Sequence, residues 1–186
     1  YVPRWQSEPL AGRATELLPE SGVALDICTG SGAMAAVLAA QRPHARVVAS
    51  DLSPEAVACA RRNGIETYQC ELFDGLPHEL RGVVDVVVSV PPYVPTDALR
   101  LLPRDTLTRE PTLSYDGGRD GLDVARRIVT DSLQWLRRGG YLLMELGGDQ
   151  LDALRGDLEM AGLVLERALV DEDGDLRGVE AALAAT

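Results

Sequence analysis

"GVALDICTGSGAMAAVLAAQ", residues 22–41, joins an apolar strand to a helix through a short glycine loop. We predict the strand over 22–28 and the helix over 33–41. Gly30 and Gly32 allow the backbone to turn tightly and to approach a ligand, and the N-terminus of the helix supplies free N–H groups. This arrangement is typical of the first turn of a Rossmann-like α/β sheet.

The alternation of strands and helices continues along the chain, as expected for βαβ units around a parallel sheet. Ser53 and Pro54 begin a second helix, which Asn63-Gly64 ends. A long irregular segment is expected over 91–118, and an antiparallel hairpin with its turn at Asp173-Gly174 ends the chain. Further strands are predicted over 45–51, 65–70, 83–90 and 141–146, and further helices over 120–138, ending at Gly139-Gly140, and 149–161. We therefore predict one mostly parallel sheet of about seven strands with helices on both faces.

Composition narrows the functional classes. The chain has 186 residues, of which 46% are hydrophobic, and no apolar stretch is long enough to span a membrane. All 18 basic residues are arginine, which excludes a lysine Schiff base and a Walker-type phosphate lysine. The net charge of −11 argues against free duplex DNA as a partner. Cys28, Cys59 and Cys70 form no CxxC pair, so we expect reduced thiols, no metal site and a cytoplasmic protein.

Three acidic residues, Asp26, Asp51 and Glu71, stand at or near the ends of three successive predicted strands. Asp51 ends the second strand, where a carboxylate can accept both hydroxyls of a ribose. The segment 30–35 also fits the dinucleotide fingerprint, so a nicotinamide cofactor is an alternative. Asp26, however, would repel a pyrophosphate but suits the α-ammonium group of a methionine, and Glu71 can accept from an adenine amino group. These positions favour S-adenosyl-L-methionine over NAD.

The segment "SVPPYVP", residues 89–95, follows the apolar run "VVDVVVSV". Pro91 and Pro92 fix their own φ and hold the preceding residue extended, so the Pro91 carbonyl is expected to point rigidly toward a pocket. Tyr93 can lay its ring against a flat acceptor. Loops at the carboxyl ends of strands commonly contain ligand-binding and catalytic residues. A plain turn at the end of the strand would also explain the prolines.

Together these segments resemble the HemK-like methyltransferases, which methylate a glutamine side-chain nitrogen in peptide-chain release factors. The resemblance covers nearly the whole chain, and "EPTLSYDGGRDGL" is its most family-specific segment. The matching segments are "YVPR" (1–4), "LDICTGSGA" (25–33), "CELFDGL" (70–76), "DVVVSVPPYVP" (85–95), "EPTLSYDGGRDGL" (110–122) and "LLMELGGDQ" (142–150).

The resemblance implies a Rossmann-like methyltransferase fold and roles for individual residues. Pro91 and Tyr93 would be catalytic. The acceptor would be bound by Val90, Pro91, Pro92 and Tyr93. The cofactor would be bound by Asp26, Cys28, Thr29, Gly30, Ser31, Gly32, Asp51, Leu52, Glu71, Leu72 and Val90. Residues 1–186 would form a single methyltransferase domain, with an entry segment at 1–20 and an acceptor-site loop at 91–118.

Two differences from the family pattern concern the acceptor. The family has Asn-Pro-Pro-Tyr, in which the asparagine side chain and a proline carbonyl each accept one N–H of the amide, and this chain has Val90 at the asparagine position. The family also usually carries a helical N-terminal domain that helps recognise the release factor, and none is expected in this sequence. Separately, in the cofactor loop, the family usually has glycine where this chain has Cys28. The implied activity is N-methyl transfer to a protein glutamine, with a release factor as partner. Methylation of a small metabolite or nucleobase, and a non-catalytic cofactor- or partner-binding module, are the alternatives.

Overall fold

A seven-stranded sheet forms the centre of the fold. The computed structural model describes residues 5–102 and 111–185, so the predicted segment "YVPR" and Glu110 lie outside the described residues. The strands are β1 (Val23–Ile27), β2 (Arg46–Asp51), β3 (Glu66–Gln69), β4 (Val84–Ser89), β5 (Leu136–Glu145), β6 (Leu163–Val170) and β7 (Leu176–Leu183). The helices are α1 (Glu8–Leu17), α2 (Ala33–Gln41), α3 (Pro54–Arg62), α4 (Asp123–Ser132) and α5 (Gln150–Met160).

The strand order is β3-β2-β1-β4-β5-β7-β6. Neighbouring strands among β1 to β5 pair in parallel, whereas β7 is antiparallel to both β5 and β6. The predicted sheet of about seven strands with a C-terminal antiparallel hairpin is therefore confirmed. The strand order reverses between β1 and β4, and the crevice at such a reversal is where ligands bind in open α/β sheets.

Two apolar clusters cover the two faces of the sheet. One contains buried residues of α4 and α5, and the other contains buried residues of α1, α2 and α3. The second helix matches its prediction closely: α3 begins after Ser53, whose hydroxyl accepts from the Ala56 N–H at 3.2 Å, and Gly64 follows the helix with φ of 80°. No helix in the described part of the chain is long and apolar enough to cross a membrane.

The prediction of a helix over 120–138 is wrong at its C-terminal end. The helix α4 ends at Ser132, and β5 begins at Leu136. The pairing of β5 with β4 is shifted between Val84 and Val86, which lie opposite Leu136 and Tyr141. Gly139, with φ of 71°, and Gly140 therefore form a bulge inside a strand and do not end a helix. Gly140 is required there because a Cβ atom would lie 2.8 Å from the Val84 carbonyl oxygen.

The helix α1 lies within the predicted entry segment 1–20, for which the sequence analysis proposed no helix. Its buried side chains are Leu10 and Ala14, and buried Leu18 follows at the same spacing of four residues. Pro9 stands in its first turn, a position that helices favour. This pattern was available in the sequence. The helix packs against β4 and β5, which brings its N-terminus to the carboxyl edge of the sheet.

Candidate active site

The glycine loop between β1 and α2 has the tight geometry that its sequence predicts. Cys28, Gly30 and Gly32 have φ values of 61°, 57° and 81°. A Cβ atom at Gly32 would lie 2.8 Å from the Cβ of Ala60, so the small residue allows α2 to begin against α3. Cys28 adopts a left-handed conformation that costs a non-glycine residue free energy, and it does so at the position where the family usually has glycine.

Asp26 lies at the inner side of this loop and is 1% exposed. Its Oδ2 atom accepts hydrogen bonds from the Thr29 hydroxyl at 2.6 Å and from the Ala35 N–H at 3.1 Å. Burial raises the pKa of the Asp26 carboxyl group to about 7, although both hydrogen bonds act in the opposite direction. A cation beside this group would favour its ionised form.

Asp26 opens onto a cavity of about 30 Å³ at the carboxyl edge of the sheet. Ala33, Met34 and Val90 form the apolar part of its wall. A buried acid beside apolar side chains fits the methionine part of S-adenosyl-L-methionine, which carries a cationic amino group on an aliphatic chain. The carboxyl group and apolar side chains of this site therefore suit the predicted cofactor better than a pyrophosphate, which an ionised acid would repel.

Asp51 ends β2, as predicted, and it connects two loops. Its Oδ2 atom accepts from the Gly30 N–H at 2.8 Å, and its Oδ1 atom accepts from the Ser53 N–H at 2.9 Å. These bonds fix the carboxylate at the strand end and leave lone pairs on both oxygens for ribose hydroxyls. The role of Asp51 in ribose binding stays a prediction, as does that of Leu52, whose side chain is exposed.

Glu71 and Leu72 follow β3 but differ in their surroundings. Leu72 is buried with φ of 51°, and its carbonyl accepts from the Ser50 hydroxyl at 2.6 Å. The Glu71 side chain is half exposed and forms an ion pair with Arg127 of α4. Arg127 was not expected at this site, because nothing in the local pattern of α4 relates it to a position 56 residues away. Glu71 would have to accept from an adenine amino group while it is paired to Arg127.

The acceptor motif begins directly after β4. The Ser89 hydroxyl donates to the Ile27 carbonyl at 2.6 Å and ties the end of β4 to that of β1. Val90 packs against the apolar cluster of α1 and α2, and Pro91 is buried. In the described part of the chain, no donor is bonded to the Pro91 carbonyl oxygen. This oxygen is available to accept from a ligand.

The segment 111–122 packs against the acceptor motif. The Val94 N–H donates to the Tyr115 carbonyl and the Gly117 N–H donates to the Val94 carbonyl, both at 2.9 Å. The glycines permit this close approach: a Cβ atom at Gly117 would lie 2.7 Å from the Pro92 carbonyl oxygen, and one at Gly121 would lie 2.3 Å from that of Tyr93.

Gln150 completes this packing and was not identified from the sequence. Its Nε2 atom donates to the Tyr93 carbonyl at 2.8 Å and to the Asp120 carbonyl at 3.3 Å. Its Oε1 atom accepts from the Gly147 N–H at 3.0 Å, and a Cβ atom at Gly147 would lie 3.5 Å from the Tyr93 ring. One buried side chain thus joins the acceptor motif to two other loops. Its only sequence signal was its place in the matching segment 142–150.

Two further features of the described residues concern cysteines and metals. The three cysteines are free. Within 5–102 and 111–185, no group of three or more histidine, cysteine, aspartate or glutamate side chains could hold a metal ion.

Comparison with known proteins places this site in a family. The model of a family described as "Methyltransferase domain" matches residues 24–104. The release factor glutamine methyltransferase of Geobacter sulfurreducens is 37% identical over 167 residues, covering 87% of this chain and 58% of that protein. The chain belongs to the HemK-like glutamine methyltransferase family. The ribosomal protein uL3 glutamine methyltransferase of Burkholderia pseudomallei is 35% identical over 156 residues, covering 76% of this chain and 50% of that protein.

The chain therefore spans 58% and 50% of the lengths of these two HemK-like relatives. The fold agrees with the family assignment. The crystal structure of the ribosomal protein L11 methylase of Lactobacillus delbrueckii superposes with a TM-score of 0.67 at 16% identity, covering 97% of this chain and 79% of that one. The methyltransferase fold expected from the sequence resemblance is thereby confirmed.

Proposed function

We propose that the chain transfers the methyl group of S-adenosyl-L-methionine to the side-chain nitrogen of a protein glutamine. The observation that carries the proposal is that Val90, the first residue of the acceptor motif 90–93, lines the cavity that holds Asp26, at the point where the strand order reverses. The relatives named for release factor and ribosomal protein uL3 glutamine methylation support a glutamine of a translation protein as the acceptor. The free cysteines support action in the reducing cytoplasm.

The cofactor site would use the residues of the glycine loop. Asp26 would pair with the α-ammonium group, Met34 and Ala33 would pack on the aliphatic chain, and Asp51 would bind the ribose. The bound cofactor supplies a methyl group activated by a sulfonium. The amide nitrogen would form the new C–N bond as the S–C bond breaks, the electron pair of that bond would stay on sulfur, and the nitrogen would lose one proton to water.

Positioning is the main contribution of the chain's own residues to this reaction. An amide nitrogen is a weak nucleophile because its lone pair is delocalised, so its N–H groups must be held while it attacks. The Pro91 carbonyl would accept one of them, since no donor in the described part of the chain occupies it. Gln150 donates to the Tyr93 carbonyl and holds its backbone, and the tyrosine ring would then serve as a wall for a flat amide.

The direct test is incubation of the purified chain with methyl-labelled S-adenosyl-L-methionine and one of two protein fragments, a release-factor fragment or a uL3 fragment. Each fragment has a control in which the acceptor glutamine is replaced by asparagine. We expect label on the glutamine fragment alone, located by peptide mass spectrometry. The apolar Val90 at the acceptor site favours a second candidate, a small or heterocyclic acceptor. Label on a small molecule from a lysate, with neither fragment labelled, would select that candidate.

A further inference from the structure

Ser7, just before α1, has an unexpected partner. It is 5% exposed, and its hydroxyl donates to Oε2 of Glu145 at 2.5 Å, although 138 residues separate them. A serine at this place normally accepts a hydrogen bond from the first turn of its helix, but the Ser7 side chain makes no such capping bond. The Ser7 hydroxyl therefore bonds to the edge of the sheet and does not cap the helix.

Glu145 places this hydroxyl next to the acceptor motif. Ser89 of β4 lies opposite Met144 of β5, so the residues that follow them, Val90 and Glu145, are neighbours at the carboxyl edge. Both are on the α1 side of the sheet, since Val90 packs in the α1–α2 cluster and Glu145 bonds to Ser7. Ser7 and Val90 also line the same cavity as Asp26.

A hydroxyl has one proton and two acceptor lone pairs. Because the Ser7 hydroxyl donates its hydrogen bond to Glu145, its oxygen can only accept a hydrogen bond from a group that enters the cavity. Among the described residues, no donor is bonded to this oxygen. Ser7 thus offers, from another element, the hydrogen-bond acceptor that the Val90 side chain does not have.

We propose that the Ser7 hydroxyl oxygen accepts the second N–H of the acceptor amide, in place of the asparagine side chain that position 90 lacks, and that Glu145 is the positioning residue that orients it. This inference rests on the proposed glutamine methylation and adds a residue to it. The amide would then be held between the Pro91 carbonyl and Ser7, so both of its N–H groups have partners during attack.

The test is a double-mutant cycle between positions 7 and 90, with methyl transfer to whichever glutamine fragment the parent protein labels. Ser7→Ala should lower kcat by about 10- to 100-fold, toward the range seen when one preorganised catalytic hydrogen bond is lost. Ser7→Thr keeps the hydroxyl and should retain most of the activity. In the Ser7→Ala background, Val90→Asn should restore kcat at least tenfold, because it supplies an acceptor for the same N–H; the single Val90→Asn variant completes the cycle.

Controls separate this role from structural support of α1. Thr15→Val removes a hydroxyl within α1 that donates to the Ala11 carbonyl at 2.8 Å, and should leave kcat unchanged. Cofactor affinity and Tm of Ser7→Ala, measured by calorimetry and thermal melting, should stay near parental values. An unchanged kcat for Ser7→Ala would overturn the inference. So would a loss that Val90→Asn does not restore, which would assign Ser7 to packing. A parent protein that labels neither fragment would instead overturn the proposed function, and this inference with it.

Discussion

The buried carboxyl group of Asp26 predicts that cofactor affinity depends on pH. Its pKa is raised from 3.8 to about 7, chiefly by burial. Each unit corresponds to 1.36 kcal/mol, so a shift of about 3 units amounts to about 4 kcal/mol between the two protonation states. In the cofactor-free protein, the folded state is more stable with Asp26 protonated than with Asp26 ionised. This stabilisation is fully present below pH 3.8 and is lost as the pH rises through 7.

Binding of the α-ammonium group requires ionised Asp26 and must therefore release a proton below pH 7. The ionised fraction for a pKa of about 7 is roughly 3% at pH 5.5 and roughly 75% at pH 7.5. We expect Kd for S-adenosyl-L-methionine to be about 25-fold higher at pH 5.5 than at pH 7.5. The ligand's own amino group loses its proton near pH 8, so the useful window ends at about 7.5.

Titration calorimetry at several pH values, in two buffers with different ionisation enthalpies, measures both Kd and the protons released. We expect close to one proton released per cofactor at the acidic end. Asp26→Asn should bind more weakly and with no such slope. Any slope that persists in this variant belongs to groups other than Asp26. Parental Kd values that agree within about twofold at pH 5.5 and 7.5 would refute the pairing of Asp26 with the ammonium group.

Four further predictions concern single features. Asp51→Ala should weaken cofactor binding by about 1.5–3 kcal/mol by calorimetry, whereas unchanged affinity would remove Asp51 from the ribose site. Cys28→Gly should raise the free energy of unfolding in urea by about 1 kcal/mol, because glycine relieves the left-handed conformation, and a lower value would mean that the side-chain packing outweighs the strain. Gln150→Leu should lower that free energy by about 1–3 kcal/mol, since the Tyr93 and Asp120 carbonyls lose a buried donor; no change would show that water replaces the amide. A gel-shift assay at low salt should show no complex with duplex DNA at micromolar protein, and a tight, salt-sensitive complex would contradict the inference from net charge.

Local patterns determined the elements that the sequence analysis identified best. Gly32 directly precedes α2, and Ser53 directly precedes α3, which Asn63 ends. These neighbouring residues mark the helix limits in the sequence itself. The start of β5 could not be read in this way. The Trp135 ring stacks on Phe73 with centroids 5.8 Å apart, and the Val84 N–H bonds to the Trp135 carbonyl. These contacts with distant segments override an apolar pattern that locally fits a helix.

The same distinction applies to the candidate site and bears on the substitution at position 90. Strand ends fixed the expected places of Asp26 and Asp51, because each follows its own apolar run. Hydrogen-bond partners contributed by other elements, such as Ser7 with Glu145, depend on the register of β4 and β5 and on the docking of α1. A motif read along one loop therefore shows which side chain is missing but not which neighbour can replace it. The cavity beside Val90 has a hydroxyl oxygen in its wall, so an apolar residue at this position does not by itself leave an amide N–H without a partner.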